Sequence, residues 1–148
     1  MSTIVYTDGS CRGNPGPGGW AWVVPDGPYE SGHEEHTTNQ RMEIMAATRA
    51  IQAFPEEQEL VVVSDSTYVV KCFQDRWWQG WINRGWKNSQ KQPVANRDLW
   101  EVLIPLVVES ERSVRFRWVK GHSGDHWNDM ADELATLAAD LQRGASSS

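Results

Sequence analysis

Residues 3–24 decide the fold class of this chain, and they read TIVYTDGSCRGNPGPGGWAWVV. Two β-branched and aromatic runs lie on either side of a segment, Asp8–Gly19, that is rich in turn-forming Gly, Pro and Asn. Another turn, Asp26-Gly-Pro28, follows the second run. We therefore predict an antiparallel meander of three strands, at Thr3–Thr7, Trp20–Val24 and Tyr29–Thr37.

Downstream of the meander, the apolar residues take a helical period. The first helix is predicted by an apolar stripe, Ile44, Ala47, Ile51 and Phe54. Its N-cap candidates are Thr37, Thr38 and Asn39, and Pro55 ends it. Leu60–Val63 is a short apolar run typical of a buried parallel strand. The remaining predicted elements are helices at Ser66–Phe73, Trp77–Asn83 and Asn96–Val108, a strand at Val114–Trp118, and a last helix along Met130, Leu134, Leu137 and Leu141.

This order of elements predicts an α/β fold with one mixed sheet flanked by helices. The sheet has five strands, three antiparallel followed by two parallel. The chain has 148 residues, which suits a single domain. We assign that domain to residues 1–142 and expect residues 143–148, which end in Ser-Ser-Ser, to form a flexible tail.

Composition excludes several classes of protein. No apolar run reaches the roughly 18–20 residues that a membrane span needs, and the N-terminus lacks the pattern of a signal peptide. Two cysteines, Cys11 and Cys72, are too few for a disulfide framework. We therefore expect a cytoplasmic protein with no membrane association and no obligate protein partner, most simply a monomer.

The charge of the chain is unevenly distributed. The formal net charge is −6, which argues against nucleic acid as a partner. Between Lys71 and Arg97, however, six basic residues face one acidic residue, a local net charge of +5, and tryptophans are interleaved with them. This stretch is either a solvated basic helix face or a surface for phosphates and flat rings.

Four acidic residues fall where the predicted elements would bring them together. Asp8 and Asp65 each follow a predicted strand, Glu43 lies one turn into the first long helix, and Asp132 lies early in the last helix. Carboxylates that converge in one pocket repel each other unless a cation holds them. Oxygen ligands of this kind select Mg²⁺ or Mn²⁺ over softer metals.

These acids lie within motifs that resemble those of type 1 ribonuclease H. The motifs are DGSCRGNPGPGG from Asp8, TTNQRME ending at Glu43, Asp65-Ser, WVKGHSG from Trp118, and DELA from Asp132. The resemblance implies a ribonuclease H-like fold and hydrolysis of the RNA strand of RNA–DNA hybrids, leaving 5′-phosphate and 3′-hydroxyl ends. It also implies two Mg²⁺ ions on the four carboxylates, with Asp8 as the bridging ligand and Mn²⁺ as an alternative metal. In this family one ion is expected to activate water and the other to stabilise the departing 3′ oxygen.

The resemblance also assigns residues outside the acidic cluster. His122, in a glycine-flanked loop, is expected to assist proton transfer or product release. Asn14, Asn39 and Gln40 are expected to contact the minor groove of the hybrid, and Thr38 and Asn96 a phosphate of the DNA strand. A basic protrusion is expected to contribute Trp77, Trp81, Arg84, Trp86 and Lys87 to substrate binding. The spacing of His122, Asp125, His126 and Asp129 also admits a zinc site, which we consider the weaker hypothesis.

Three positions depart from the family pattern. His36 stands where an arginine is common, which predicts a weaker or pH-sensitive phosphate contact, and Ile82 and Asn83 replace basic residues of the protrusion. Two alternative functions stay open at this stage. One is a module that binds hybrids without cutting them, and the other is a DNA-processing nuclease of the same broad fold.

Overall fold

The structure, a computed structural model, describes residues 2–147, which form a mixed sheet with helices on both faces. The strands are β1 (Ser2–Cys11), β2 (Gly16–Val23), β3 (Tyr29–Thr37), β4 (Glu59–Ser64), β5 (Ser113–Trp118) and β6 (Ala145–Ser146). The helices are α1 (Asn39–Ala53), α2 (Thr67–Gln74), α3 (Trp77–Asn83), α4 (Arg97–Val108) and α5 (His126–Leu141). Within the described residues, no helix is both long and apolar enough to cross a membrane.

The strand order across the sheet is β5-β4-β1-β2-β3-β6. The pairs β1–β2, β2–β3 and β3–β6 are antiparallel, and the pairs β1–β4 and β4–β5 are parallel. The predicted α/β class and the three-plus-two arrangement are therefore confirmed. The prediction missed a sixth strand, because two small residues carry no strand pattern.

The sixth strand lies in the segment that was expected to be a flexible tail. Ala145 donates its backbone N–H to Ser31 Oγ at 3.0 Å, and Ser147 donates its N–H to the carbonyl of Tyr29 at 3.1 Å. These contacts cover part of the open edge of β3, which otherwise would present unpaired backbone groups.

Alternating residues of the central strands divide the core into two layers. Val5 and Val62 pack in the larger cluster with residues of α1, α2 and α4, whereas Tyr6 and Val63 pack with Ala131 of α5. Helix α5 thus lies alone on one face of the sheet.

The glycine-rich segment after Asp8 is largely strand and not turn, which corrects the sequence prediction. β1 continues through Gly9 to Cys11, and β2 begins at Gly16, so only four residues form the loop. The physical reason is close packing: a Cβ on Gly9 would lie 2.5 Å from the backbone N of Glu43, and one on Gly19 would lie 2.3 Å from the carbonyl O of Ala135. These two glycines let α1 and α5 pack directly on the strands.

The buried face of α5 also differs from the predicted one. Ala131, Ala135, Ala138 and Ala139 are buried, whereas Leu137 and Leu141 are 50% and 54% exposed. Because α5 lies so close to β2, only small side chains fit between them. Of the predicted stripe, Met130 and Leu134 are half-buried and pack against the smaller cluster, whereas Leu137 and Leu141 flank the contact.

Candidate active site

Two of the predicted acids lie on neighbouring parallel strands. Thr7 of β1 pairs with Ser64 of β4, so the residues that follow them, Asp8 and Asp65, occupy equivalent positions after these two paired residues. Asp8 is buried inside β1, opposite Ala21 of β2, and not at a strand end as predicted. Asp65 follows the last residue of β4 and precedes α2.

Glu43 approaches the same point from α1. The helix begins after Thr38, whose Oγ1 accepts a hydrogen bond from Arg41 N at 3.2 Å, as the N-cap prediction requires. Glu43 then lies one turn into the helix, beside Gly9 of β1. One carboxylate oxygen from each of Asp8, Glu43 and Asp65 lies within 4.8 Å of the other two.

Asp132 lies at the rim of this cluster and outside the group of three. It is carried by α5 on the opposite face of the sheet, and its proximity contributes to the raised pKa of Asp8. It lines an open cavity of about 580 Å³ together with His122, Asp129 and Glu133. The structure therefore brings three of the predicted acids together and places the fourth next to them.

The electrostatics of the cluster are those of carboxylates that lack a counter-charge. Burial, and then repulsion from Asp65, raises the pKa of Asp8 to about 8. Burial, and then the charges of Asp8 and Asp65, raises the pKa of Glu43 well above its ordinary value. Both groups therefore retain protons at pH values where an exposed carboxyl is ionised.

The chemistry of the cluster fits a hard divalent cation. All of the converging donors are carboxylate oxygens, which are the preferred ligands of Mg²⁺ and Mn²⁺. Glu43 Oε1 is buried and has no hydrogen-bond partner within residues 2–147, although a buried acceptor normally has one. A cation bound between the three carboxylates would satisfy that oxygen and relieve their repulsion.

His122 lies in the loop between β5 and α5 and has the positive backbone φ of 55°. Its exposed side chain lines the same cavity as Asp132. The zinc hypothesis finds no support here, because Asp125 is engaged as the N-cap of α5, where its Oδ1 accepts from Trp127 N and Asn128 N. Within residues 2–147, the group compatible with a metal ion is Asp8, Glu43 and Asp65.

The polar residues expected to contact the minor groove converge on the start of α1. Asn14 Oδ1 accepts the backbone N–H of Asn39 at 3.0 Å, so the β1–β2 loop is attached to the helix N-terminus. Asn39 and Gln40 are both exposed beside it. The three side chains form one polar surface next to Glu43.

Thr38 and Asn96 are connected through Arg41. Arg41 Nη1 donates to Asn96 Oδ1 at 3.5 Å, and its guanidinium forms a two-bond ion pair with Asp98, at 2.9 and 2.7 Å. Asn96 Nδ2 also donates to the hydroxyl of Tyr68 at 3.4 Å. The sequence analysis missed Arg41, Tyr68 and Asp98. Tyr68 lies 28 residues from Asn96 and Arg41 lies 57 residues from Asp98, and partners so far apart leave no local pattern.

The basic protrusion contains α3 and the loop after it. Trp81 is buried against Trp100, with ring centroids 5.4 Å apart, whereas Trp77 is 36% exposed. Trp86 is half-buried under the guanidinium of Arg97, at 5.0 Å. Arg84 and Lys87 are exposed on either side of Gly85, and Arg84 Nη1 donates to the carbonyl of Lys87 at 3.4 Å. The rings are therefore partly structural, and the two cations face solvent.

A mixed sheet of this order, with carboxylates from its central parallel strands meeting one from a packed helix, defines an α/β protein of the ribonuclease H-like class. The family model described as RNase H matches residues 1–140. The chain therefore belongs to the ribonuclease H family, and it is an endoribonuclease by that membership. The resemblance predicted from the motifs is confirmed.

Individual relatives agree with this assignment. The ribonuclease H of Syntrophomonas wolfei is 50% identical over 139 residues, covering 91% of this chain and 94% of the relative. That of Nitratidesulfovibrio vulgaris is 47% identical over 142 residues, covering 94% and 90%.

Solved structures show the same likeness. LC9-RNase H1, a type 1 enzyme with the type 2 active-site motif, superposes with a TM-score of 0.82 at 32% identity, covering 99% of this chain and 74% of that one. LC11-RNase H1, solved in complex with an RNA/DNA hybrid, superposes with a TM-score of 0.72 at 25% identity, covering 95% and 98%.

Proposed function

We propose that this protein is a Mg²⁺-dependent endonuclease that hydrolyses the RNA strand of RNA–DNA hybrids and leaves 5′-phosphate and 3′-hydroxyl ends. The observation that carries the proposal is the convergence of Asp8, Glu43 and Asp65 within 4.8 Å in a member of the ribonuclease H family. The complex of the related LC11-RNase H1 with an RNA/DNA hybrid supports the choice of substrate.

The carboxylates would hold two Mg²⁺ ions, with Asp132 joining the other three, and Mn²⁺ could take their place. When bound, such ions supply an activated water and neutralise charge at the phosphorus and the leaving oxygen. The contribution of the chain is a rigid, partly buried set of oxygens, because Asp8 is fixed within the sheet and Glu43 within a helix. Metal binding would displace the protons that the raised pKa values of Asp8 and Glu43 retain.

His122 would act as an assisting acid or base and not as a ligand. It lines the cavity beside Asp132 and lies on an exposed loop. Imidazole changes its charge near neutral pH, so a histidine in this place suits proton transfer to or from the leaving group.

Strand discrimination would come from the surface at the start of α1. Asn14, Asn39 and Gln40 present amide donors and acceptors beside Glu43, and such groups can read the 2′-hydroxyls that distinguish RNA from DNA. Thr38 and Asn96, which Arg41 connects, would hold a phosphate of the DNA strand. The exposed Arg84 and Lys87 would add phosphate contacts farther along the hybrid, with Trp77, Trp81 and Trp86 forming the protrusion that carries them.

We also propose that the protein works as a monomer in the cytoplasm, without an obligate protein partner. Cys11 and Cys72 are both free, which suits a reducing compartment.

The test is a side-by-side assay of an RNA–DNA hybrid, duplex DNA and duplex RNA with Mg²⁺. We expect cleavage of the RNA strand of the hybrid, loss of cleavage in EDTA, and intact duplex DNA. Binding of the hybrid without cleavage would favour the non-cutting module, and cleavage of duplex DNA would favour a DNA-processing nuclease.

A further inference from the structure

Trp118 is a large aromatic residue that remains 47% exposed at the end of β5. Its indole N–H is nevertheless engaged: Nε1 donates to the backbone carbonyl of Asp65 at 3.1 Å. Tryptophan combines an apolar ring with a polar handle, and here the handle contacts the backbone of a proposed metal ligand.

The backbone next to Trp118 contacts the residue before Asp65. Val119 N donates to the carbonyl of Ser64 at 3.0 Å, and Ser64 pairs with Trp118 in the β4–β5 register. The consecutive carbonyls of Ser64 and Asp65 thus accept hydrogen bonds from Val119, which follows β5, and from Trp118, the last residue of β5. This arrangement matters because Asp65 lies beyond β4 and before α2, where neither element fixes it.

The segment that begins at Trp118 also reaches the carboxylate of Asp65. A Cβ on Gly121 would lie 2.7 Å from Asp65 Oδ2, so the chain passes directly over that oxygen. The next residue is His122. A single short segment therefore contacts the backbone of Asp65, approaches its carboxylate and carries the proposed assisting group.

The ring and the N–H of Trp118 have separable roles. The ring borders an apolar cavity of about 280 Å³ on α2, with Thr67, Val70, Lys71 and Gln74. Packing there would anchor β5 to α2 whether or not the N–H were present. The hydrogen bond to Asp65 is the part that reaches the site.

We propose that Trp118 is a positioning residue, whose indole N–H fixes Asp65 and thereby aligns its carboxylate and the His122 loop. The proposal rests on the proposed function of the acidic cluster. Trp118 would not touch substrate or metal, and its effect would pass through the Asp65 carbonyl.

The test replaces the N–H and keeps a ring. Trp118→Phe loses the donor, and site-specific replacement of Trp118 by 3-benzothienylalanine exchanges N–H for sulfur at nearly the same shape. The control is Trp78→Phe, since Trp78 is half-buried, packs against the larger core cluster and has no hydrogen bond from its indole among the described residues. Mg²⁺ binding is measured by thermal stabilisation, and kcat and KM are measured on the hybrid.

We expect both Trp118 variants to need about fivefold more Mg²⁺ for the same rise in melting temperature, the loss typical of one hydrogen bond. We expect kcat to fall by a similar factor and KM to stay within about twofold. Trp118 variants that match Trp78→Phe, or that change KM alone, would overturn the proposal. A wild-type protein that binds Mg²⁺ but leaves hybrids intact would overturn the proposed function instead, and the Mg²⁺ titration would still decide the role of Trp118.

Discussion

Thr7 of β1 and Ser64 of β4 are register partners in a parallel ladder. Because parallel strands run in the same direction, the residues that follow them, Asp8 and Asp65, emerge at the same level of the sheet. The repulsion between these two carboxylates is thus a consequence of strand register, and Asp8, which lies within β1 and is paired with β2, is held in place by the sheet.

Asp8→Asn and Asp65→Asn should each remove nearly all hybrid cleavage and leave hybrid binding intact. The substitution keeps the shape of the side chain and removes the charge that holds a cation. Cleavage and affinity are measured separately, with Asp75→Asn as the control, since Asp75 is exposed and forms a surface ion pair with Lys71. An Asp65→Asn protein that kept a tenth of wild-type activity would contradict the assignment.

The pKa of Asp8 predicts how stability depends on pH without metal. The pKa of Asp8 in the folded state is about 8, against an ordinary value of 3.8. Its contribution to the free energy of unfolding is therefore fully present below about pH 4 and is lost as the pH rises toward 8. In EDTA, the free energy of unfolding of wild type should fall relative to Asp8→Asn across this range, by up to about 1.4 kcal/mol per pH unit.

Urea unfolding at several pH values measures this difference. The same argument predicts that Asp8→Ala raises the melting temperature of the metal-free protein near pH 8, and that Mg²⁺ stabilises wild type more than the variant. Parallel pH profiles for wild type and Asp8→Asn would show that the pKa of Asp8 is not raised in the folded state.

His122→Ala should slow turnover by about 10²–10⁴-fold at most and leave Mg²⁺ binding unchanged. The reason is position: His122 lines the cavity beside Asp132 but lies outside the group of three close carboxylates. Single-turnover cleavage and Mg²⁺-dependent thermal stabilisation measure the two effects independently. Weakened Mg²⁺ binding in the variant would identify His122 as a ligand and reject the assisting role.

Local patterns and turn signals predicted the bounds of several elements. Helix α3, at Trp77–Asn83, and strand β3, at Tyr29–Thr37, have the predicted bounds, and Thr38 is the predicted N-cap of α1. The motifs also indicated which acids to examine. These features depend on neighbours along the chain, and a sequence displays such neighbours directly.

Close approach between distant segments could not be predicted in the same way. The glycines at positions 9 and 19 look like turn residues until α1 and α5 are seen packed against them. For the same reason α5 buries alanines more deeply than its leucines. The ion pair of Arg12 with Asp140 and that of Arg41 with Asp98 join residues far apart in sequence, so only the tertiary structure reveals them.

The protrusion provides the last prediction, because it decides between the two interpretations of the +5 stretch. Arg84 lies along Gly80, where its guanidinium nitrogens are 3.0 and 3.1 Å from the position of an added Cβ, and Lys87 is exposed beyond Gly85. Neither cation has a carboxylate partner among the described ion pairs. Both are therefore free to neutralise phosphates of a bound hybrid.

If Arg84 and Lys87 each contact one phosphate, each contact releases counterions from the hybrid on binding. The affinity for the hybrid must then fall as the salt concentration rises. Arg84→Ala and Lys87→Ala should each reduce the slope of log affinity against log salt by about 0.7–0.9, and Arg143→Ala, an exposed arginine outside the stretch, should leave it unchanged. The wild-type slope should itself be shallow for this family, because Ile82 and Asn83 replace basic residues. Hybrid affinity is measured across a salt series in Ca²⁺, which should permit binding with little cleavage. Identical slopes in all four proteins would mean that the basic stretch is a solvated helix face and that the hybrid is held by the surface at the start of α1 alone.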